Sequence, residues 1–404
     1  MASIKKAKFT SLKHLELDTL LDITNAINTE QDEQSLLKIF LFAVVANFKI
    51  SHLAIYSREL SGWNMVLKHG LDKDFSIPAD ILGELGRKYA IVNDKNEFPA
   101  PLNEIFEIVI PVGRKNRNVA MAIMGGASSI SKNEREESLK FIQTIANIIT
   151  VAIQNIRLNT RRLDQQAIKR EIELAQKLQS QLFPSVLPNN PELQIFASYL
   201  PQLMVGGDYY DYIKLNADEF VICIADVSGK GVPAAFLVSN LQSALRILVK
   251  QAISLEKIVT ELNELVFHNA KGEKFITFFI ARYNLKTNVM NYINCGHNEP
   301  ILFRRNGEKH YLNEGTLILG AFEDLPDIKL GTIFEIKDTF LFAYTDGLTE
   351  TFDMNNTDIG LALVEALILE STDNTKLHHN IISALRISNI PIDDITMLSC
   401  KVGK

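Results

Sequence analysis

The chain has 404 residues, of which 47% are hydrophobic and 22% are charged, and its net charge is −6. A length of this order predicts two or three domains, and the composition is that of a soluble globular protein. The negative charge disfavours a constitutive nucleic-acid binder, because such proteins usually present a basic surface. We therefore expect no nucleic-acid partner.

The cysteines and the N-terminus indicate the compartment. Cys223, Cys295 and Cys400 are isolated within apolar runs and show neither a disulfide framework nor metal spacing. They are typical of small buried hydrophobic residues in a reducing compartment. No signal peptide follows the first lysines, and residues 39–48 fall far short of the roughly 20 apolar residues of a spanning helix. We expect a cytoplasmic protein with no membrane segment.

The N-terminal third has the pattern of a mixed α/β domain. Apolar residues recur at spacings of three and four over residues 15–48, which predicts helical structure. The period then changes to that of short strands, separated by the turn signal Ser61-Gly62. A polar loop over residues 113–118 joins a predicted hairpin. The predicted strands are residues 53–56, 63–67, 105–112 and 119–124.

This order of helices, short strands, a hairpin and a long exit helix resembles a GAF sensor domain, which we assign to residues 1–155. The resemblance rests on the pattern of elements and not on a sharp motif. This region contains no cysteine, which argues against a covalently attached bilin chromophore. A small-molecule ligand fits the resemblance, and a domain that serves only for dimerisation is the alternative.

A long helix is predicted next, because no Gly or Pro occurs between Ala127 and Pro184. It starts near Ser131 and runs to about Phe183. Its second part, residues 156–183, is charged and carries one apolar stripe, which is a candidate coiled-coil seam between two copies of the chain. Gln165 and Gln179 interrupt that seam, and a helix packed on its own domain is the alternative. The stripe consists of Ile168, Ile172, Ala175, Leu178 and Leu182.

Strands and helices alternate in the remaining residues, 184–404. Pro184, Pro188 and Pro191 end the long helix. Most neighbouring strands are joined by short turns, which predicts antiparallel pairing in an α+β sandwich. The predicted strands are residues 193–199, 219–225, 277–284, 290–294, 301–304 and 339–344, and the predicted helices are residues 233–251, 255–269 and 361–369.

Four aspartates, Asp208, Asp226, Asp346 and Asp393, each lie where an apolar, strand-like run meets a loop. With no His or Cys among them, their oxygens suit Mg²⁺ or Mn²⁺ and not zinc. Two such ions can share a water and lower its pKa, which permits hydrolysis of a phosphoester without a protein nucleophile. The pattern predicts a metal-dependent phosphatase with Asp208 and Asp226 as catalytic residues.

Each aspartate alone also has a structural explanation. Asp346-Gly347 is typical of a tight hairpin turn, and Asp226 can cap the helix after residues 228–231. Asp211 and Asp218 can be solvated turn residues. The coincidence of four acidic residues at strand ends favours the metal site, because clustered carboxylates repel one another unless cations are bound.

Five segments occur in a characteristic order: Val-Gly-Gly-Asp-Tyr-Tyr-Asp at 205–211, Ala-Asp-Val-Ser-Gly-Lys-Gly-Val-Pro-Ala-Ala at 225–235, Asn-Cys-Gly-His-Asn at 294–298, Tyr-Thr-Asp-Gly-Leu-Thr-Glu at 344–350 and Asp-Asp-Ile-Thr at 393–396. Together they resemble the SpoIIE-type branch of the PPM metal-dependent serine/threonine protein phosphatases over about residues 182–402. We assign residues 184–404 to such a domain and residues 156–183 to a coiled-coil linker helix.

The resemblance implies two antiparallel sheets flanked by helices, with two Mn²⁺ or Mg²⁺ ions at one end. It makes Asp226 the bridging ligand and Asp394 a less expected ligand than Asp393. Glycines would let the backbone approach the ions and the substrate closely. The implied metal ligands are Asp208, Asp226, the carbonyl of Val227, Asp346 and Asp393, and the loop glycines are Gly206, Gly207, Gly229, Gly231 and Gly347.

The sequence departs from the eukaryotic relatives at two points. Ser228 stands where they have a His that is a proposed proton donor, and no arginine near the first motif is an evident phosphate clamp. We therefore expect water to protonate the leaving group and metal to hold the phosphate. Lys230 is close enough in sequence to be considered for the phosphate, but we expect an exposed loop lysine. For His297 we expect a structural hydrogen-bonding role and not a catalytic one.

The resemblance implies a substrate as well: a phosphorylated STAS-like anti-anti-sigma-factor protein of a bacterial partner-switching pathway. The N-terminal domain would control dephosphorylation through the linker helix of a homodimer. One alternative is a non-catalytic PPM-fold scaffold, which has no need to retain the four aspartates. Another is a ligand-sensing regulator without enzymatic output, which would lack the Asp-Gly and Asp-Asp-Ile-Thr elements.

Overall fold

A computed structural model describes residues 2–48, 50–59, 61–88, 90–114, 117–126, 132–350, 360–370, 374–384 and 393–403. The chain divides into two units, Met1–Gln166 and Ala167–Lys404, called here the N-terminal and C-terminal units. The predicted linker, residues 156–183, falls across this division.

A five-stranded antiparallel sheet in the order β2-β1-β5-β4-β3 forms the centre of the N-terminal unit. Three of the four predicted strands lie inside observed ones. The prediction for residues 105–112 is wrong at its start, because Ile105 ends a short helix. The strands are β1 His52–Glu59, β2 Gly62–His69, β3 Val92–Asn93, β4 Ile108–Arg114 and β5 Arg117–Gly125.

Helices cover both faces of this sheet. On one face α1, α2 and the first part of α5 bury a core that includes Phe40, Val44 and Ile145. On the other face α3 and α4 pack around Phe106. The helices are α1 Ala2–Asn28, α2 Glu33–Phe48, α3 Ala79–Leu85, α4 Leu102–Ile105 and α5 Lys132–Ser180, with a short 3₁₀ helix at Lys95–Glu97. The assignment to a GAF-like domain stays a prediction.

Helix α5 is the long helix that the sequence predicts, with 49 residues. Its predicted start at Ser131 lies outside the described residues. It ends at Ser180, three residues before the predicted end, where the amides of Gln181 and Leu182 bond to carbonyls three residues back in a tightened last turn. Several apolar side chains of α5 are more than half exposed: Leu158, Leu163, Ile168, Leu174 and Leu178. Coiled-coil pairing and a homodimer stay predictions.

Two sheets form the C-terminal unit. Sheet I has the order β13-β10-β9-β8-β7, with β14 also paired to β10, and sheet II has the order β12-β11-β15-β16-β6. All pairs are antiparallel except β10 with β13. The strands are β6 Leu193–Leu200, β7 Asp208–Lys214, β8 Glu219–Val227, β9 Ile276–Asn284, β10 Val289–Cys295, β11 Ile301–Arg304, β12 Lys309–Tyr311, β13 Gly315–Thr316, β14 Gly331–Phe334, β15 Thr339–Tyr344 and β16 Ile395–Val402.

Three apolar layers hold the C-terminal unit together as a helix–sheet–sheet–helix sandwich. The inner faces of the two sheets meet around Phe279, Leu341 and Leu398. The outer face of sheet I packs on α6 and α7, and the outer face of sheet II packs on α9 and α10. The helices are α6 Val232–Lys250, α7 Leu255–Ala270, α8 Asp346–Thr349, α9 Gly360–Glu370 and α10 Asn374–Ala384. This arrangement confirms the predicted α+β sandwich of antiparallel sheets.

Two helical stretches, Arg135–Ser180 and Val232–Lys250, have the length and hydropathy of a membrane span. Helix α6 buries Val238, Leu241 and Leu245 against sheet I, as a core helix of a globular unit does. The predicted absence of a membrane segment stays a prediction.

Candidate metal and catalytic site

Asp208 and Asp226 lie side by side at one end of sheet I. Asp208 begins β7, and the antiparallel register places it opposite Asp226 near the end of β8. Paired residues in such a ladder project from the same face, so the two carboxylates are neighbours. Because Asp226 belongs to β8 and α6 begins only at Val232 after Gly231, the helix-cap alternative for Asp226 is wrong.

Two threonines of sheet II reach the buried carboxylate of Asp208. The hydroxyls of Thr345 and Thr396 donate to Asp208 Oδ2 over 2.8 and 2.6 Å. Thr345 follows β15 and Thr396 lies in β16, so these bonds join the two sheets at this end of the sandwich. The sequence motifs contain both threonines, but their partner is 137 and 188 residues away and cannot be read from the sequence.

Asp346 and Asp393 come from sheet II, at the same end. Asp346 is the first residue of α8 directly after β15, so the hairpin-turn alternative for Asp346-Gly347 is wrong. Asp393 precedes β16, and its Oδ1 accepts the backbone N–H of Asp394 over 2.8 Å. Asp394 itself is buried and accepts the backbone N–H groups of Gln202 and Gly207, over 2.7 and 2.6 Å. It holds the loop that leads into Asp208.

The aspartates shift one another's pKa values. Burial and the charges of Asp346 and Asp393 raise the pKa of Asp226 to about 7. Burial and the charge of Asp226 raise the pKa of Asp208 well above its ordinary value, and burial with the charge of Asp393 raises that of Asp346. Divalent cations stabilise a group of carboxylates that repel one another in this way.

The described residues contain no group of three His, Cys, Asp or Glu side chains already set around one point as a metal cage. The pKa shifts require only that the carboxylates lie near one another, and not that they already surround one ion as ligands. The all-oxygen donor set, with Asp208, Asp226, Asp346 and Asp393 at one end of the sandwich, fits Mg²⁺ or Mn²⁺.

Three of the predicted glycines lie where the backbone passes closely. A Cβ on Gly207 would stand 2.7 Å from the carbonyl oxygen of Val227, which is the predicted backbone ligand. A Cβ on Gly206 would stand 2.3 Å from Asp394 Oδ2, and one on Gly347 would stand 2.1 Å from the Asp394 carbonyl oxygen. Only glycine leaves room for these approaches.

Gln179, on the last turn of α5, contacts the same loop. Its side chain is buried, and its Nε2 donates to the carbonyl of Gly206 over 2.7 Å. The Gly206 amide returns a bond to Gln179 Oε1 over 3.2 Å. In the sequence, Gln179 interrupts the apolar seam predicted for the linker helix. A glutamine at a position where the helix pattern predicts an apolar residue was the signal in the sequence that this side chain has a hydrogen-bond partner.

The alternative that Asp211 is a solvated turn residue is wrong. Its carboxylate is fully buried in β7 and accepts two bonds from the Arg246 guanidinium of α6, over 2.8 and 3.0 Å. The Tyr209 hydroxyl adds a third bond of 2.6 Å. The pair with Asp211 raises the pKa of Arg246. Asp218, by comparison, is exposed in the turn between β7 and β8.

His297 and Ser228 have structural partners. His297 is buried, its Nδ1 lies 2.8 Å from the hydroxyl of Thr277, and burial lowers its pKa to about 3. A neutral histidine in this place agrees with the expected structural role. The Ser228 hydroxyl accepts the backbone N–H of Phe275 over 2.9 Å. Ser228 thus fixes the loop after β8 to the segment before β9.

The fold of the C-terminal unit is similar to that of a solved structure titled "SiaA-PP2C domain of Pseudomonas aeruginosa". The TM-score between the two structures is 0.51 and the sequence identity is 17%. The match covers 59% of this chain and 98% of that one. The C-terminal unit therefore has a PP2C-type fold.

Residues 216–403 match the family model described as "Stage II sporulation protein E (SpoIIE)". The chain is 33% identical to phosphoserine phosphatase RsbU of Bacillus subtilis over 46% of this chain and 55% of that protein. It is 26% identical to phosphoserine phosphatase RsbP of the same organism, over 56% of this chain and 57% of that protein. The chain spans about half the length of these relatives. The matched residues lie within the C-terminal unit, which is therefore similar to SpoIIE.

Proposed function

We propose that this chain is a Mn²⁺- or Mg²⁺-dependent serine/threonine protein phosphatase. The observation that carries the proposal is the convergence of Asp208, Asp226, Asp346 and Asp393, from four chain segments, on one end of a SpoIIE-type domain. Burial and the charges of Asp346 and Asp393 raise the pKa of Asp226 to about 7, and bound cations would relieve this repulsion. The similarity to two phosphoserine phosphatases supports the same reaction.

The carboxylates of Asp208, Asp226, Asp346 and Asp393 and the carbonyl of Val227 would hold two ions. Bound ions would supply the Lewis acidity that activates water for phosphoester hydrolysis at neutral pH. The chain's own contribution is to position these ligands. Thr345 and Thr396 orient the Asp208 carboxylate, and Asp394 holds the Gly206-Gly207 loop beside it. Water protonates the leaving serine or threonine oxygen.

The proposed substrate is a phosphorylated STAS-like anti-anti-sigma-factor protein in a bacterial partner-switching pathway, in the cytoplasm. A protein substrate agrees with apolar side chains that are more than half exposed beside the loop of residues 228–231, namely Leu203, Val232 and Phe236. Burial of such side chains on docking would supply hydrophobic binding energy.

Control by the GAF-like N-terminal domain, through the linker helix of a homodimer, completes the proposal. The N-terminal unit contains a cavity of about 1380 Å³ between the sheet and helices α2 and α5. Apolar side chains, among them Phe40, Ile55 and Ile149, line it, and the ion pair of Arg157 with Glu33 lies at its polar side. A cavity that combines an apolar wall with charged and polar side chains can hold a small molecule.

Substitution of Gln179 tests the linker coupling. We expect Gln179→Leu to lower the phosphatase activity and the Mn²⁺ affinity, because the Gly206 carbonyl and amide lose their partners and the loop before Asp208 loosens. A buried amide or carbonyl group that loses its hydrogen-bond partner costs about 1–3 kcal/mol of stability. Steady-state kinetics and Mn²⁺ titration provide the measurement. Gln165→Leu is the matched control, since Gln165 is the other polar seam residue and is exposed. An equal effect of the two substitutions contradicts the coupling.

Metal dependence tests the activity itself. The full chain should hydrolyse a generic aryl phosphate and a phosphoserine peptide in Mn²⁺ and lose this activity in EDTA, with recovery on Mn²⁺ addition. Release of inorganic phosphate is the measurement. A protein that folds, binds Mn²⁺ and releases no phosphate is the non-catalytic scaffold. Activity that persists in EDTA after dialysis contradicts the metal site.

A further inference from the structure

Lys230 is not simply an exposed loop lysine. It lies in the loop of residues 228–231 that joins β8 to α6, and its side chain is 42% exposed. Its ammonium group is 3.0 Å from Asp393 Oδ2 and donates to Gln202 Oε1 over 2.7 Å. A cation of the chain therefore contacts one of the proposed metal ligands.

The surroundings of Lys230 are acidic. Its charge also acts on the carboxylates of Asp346 and Glu350 and lowers their pKa values against the larger effects of burial and neighbouring acids. Arg246, on α6, is paired with a different carboxylate, that of Asp211. The ammonium group of Lys230 thus lies beside the carboxylates of the proposed metal site.

The loop allows this side chain to change partners. Gly229 and Gly231 flank Lys230 with φ angles of 99° and 74°, in the left-handed region that favours glycine. The four-carbon stem of lysine is flexible, and the ammonium is a compact charge that binds phosphate without a fixed geometry. A partly exposed ion pair of this kind costs little to open.

A phosphoryl group needs a further cation here. The charges of four aspartates and two divalent ions cancel, whereas a phosphoserine brings about −1.5 to −2 charges at neutral pH. The ammonium group of Lys230 supplies a positive charge where that group must bind. The sequence offers no arginine clamp near the first motif, and Lys230 lies on the loop that follows Asp226.

We propose that Lys230 binds the phosphoryl group of the substrate, and that Asp393 and Gln202 hold its ammonium group while the site carries no ions. This inference rests on the proposed phosphatase function. It adds a substrate-binding residue from the loop after β8 to the metal ligands. It also implies that ion binding at Asp393 competes with the ammonium group.

The test uses the full chain and measures binding without turnover. Mn²⁺ is titrated by calorimetry onto the unchanged protein, Lys230→Gln, Lys230→Arg and the control Lys257→Gln, an exposed lysine paired with Glu261 on α7. Inorganic phosphate is then titrated onto each Mn²⁺-loaded protein. Lys230→Gln should bind Mn²⁺ about two- to fivefold more tightly, because a competing cation is gone. It should bind phosphate about tenfold more weakly, through loss of a charged hydrogen bond. Lys230→Arg should retain most of the phosphate affinity, and Lys257→Gln should change neither affinity.

The outcomes separate this inference from the proposed function. Phosphate affinity that is equal in Lys230→Gln and the unchanged protein, with Mn²⁺ still bound, overturns the role of Lys230 and leaves the metal site intact. Unchanged Mn²⁺ affinity with weaker phosphate binding overturns the resting pair with Asp393. Failure of the unchanged protein to bind Mn²⁺ overturns the proposed function and this inference with it.

Discussion

Asp226→Asn should reduce phosphatase kcat/KM on the order of 10³-fold, the effect of several kcal/mol of lost metal-dependent stabilisation. The amide has the shape of the carboxyl group and should leave the fold intact, but it cannot bridge two cations as a carboxylate does. Circular dichroism checks the fold, and release of phosphate checks the activity. Asp218→Asn is the control, because Asp218 lies exposed in the turn of the same β7–β8 hairpin.

The same variant has a second readout that does not depend on turnover. The pKa of Asp226 is raised in the folded protein to about 7 from 3.8. Its contribution to stability is therefore complete below pH 3.8 and is lost as the pH rises through about 7. In EDTA, the melting temperature of the unchanged protein should fall as the pH rises from about 4 to about 7, and this fall should be smaller in Asp226→Asn.

Mn²⁺ should raise the melting temperature of the unchanged protein, because an ion bound only by the folded state stabilises it. Asp226→Asn should lose most of this increase. A variant that retains both activity and the Mn²⁺-induced increase would show that Asp226 is not a metal ligand.

Arg246→Ala should destabilise the C-terminal unit by about 2–3 kcal/mol, because it leaves the Asp211 carboxylate buried without its cation. The value is at the lower end of the range for broken buried pairs, since the Arg246 side chain is 38% exposed. Urea denaturation followed by circular dichroism provides the measurement. The only tryptophan, Trp63, lies in the N-terminal unit and would not report this transition.

Two comparisons isolate the cause of that loss. Arg305→Ala removes a guanidinium that is 71% exposed and lies 3.7 Å from Asp338, and it should cost less than about 1 kcal/mol. Asp211→Asn combined with Arg246→Leu should recover most of the stability, because the amide oxygen can accept the backbone N–H of Tyr212 and the amide NH2 can donate to the Tyr209 hydroxyl. Equal losses in Arg246→Ala and Arg305→Ala contradict the buried-pair explanation.

The sequence predicted the candidate ligands through local signals. Asp208, Asp226, Asp346 and Asp393 each adjoin an apolar run with the period of a strand, and that relation needs only neighbouring residues. The predicted strands and helices of the C-terminal unit agree with the observed bounds to within two residues for the same reason, whereas β7, β12, β13 and β14 were not predicted. The glycines at 206, 207 and 347 were also predicted, although the atoms that require them belong to Val227 and Asp394.

The sequence could not predict the partners of buried polar side chains. Aspartate is a residue type typical of turns, and the bond between Asp211 and Arg246 depends on how α6 packs on sheet I. Gln179 looked like a defect in a seam, and its bonds to Gly206 exist only because the end of α5 meets the loop before β7. Helix α10, with its buried His378 between Ser198 and Ser399, also escaped prediction.

The amino-acid sequence by itself determined the α+β class of the C-terminal unit, its motifs and the acidic residues that the proposed metal site needs. Those properties follow from periodicity and residue type, which act over a few positions of the chain. Only the tertiary structure decided which charges meet: Asp208 with two threonines of the other sheet, Asp211 with Arg246, and Asp393 with Lys230. Such pairs form between residues far apart in the chain, and packing of the two sheets and their helices brings them within bonding distance.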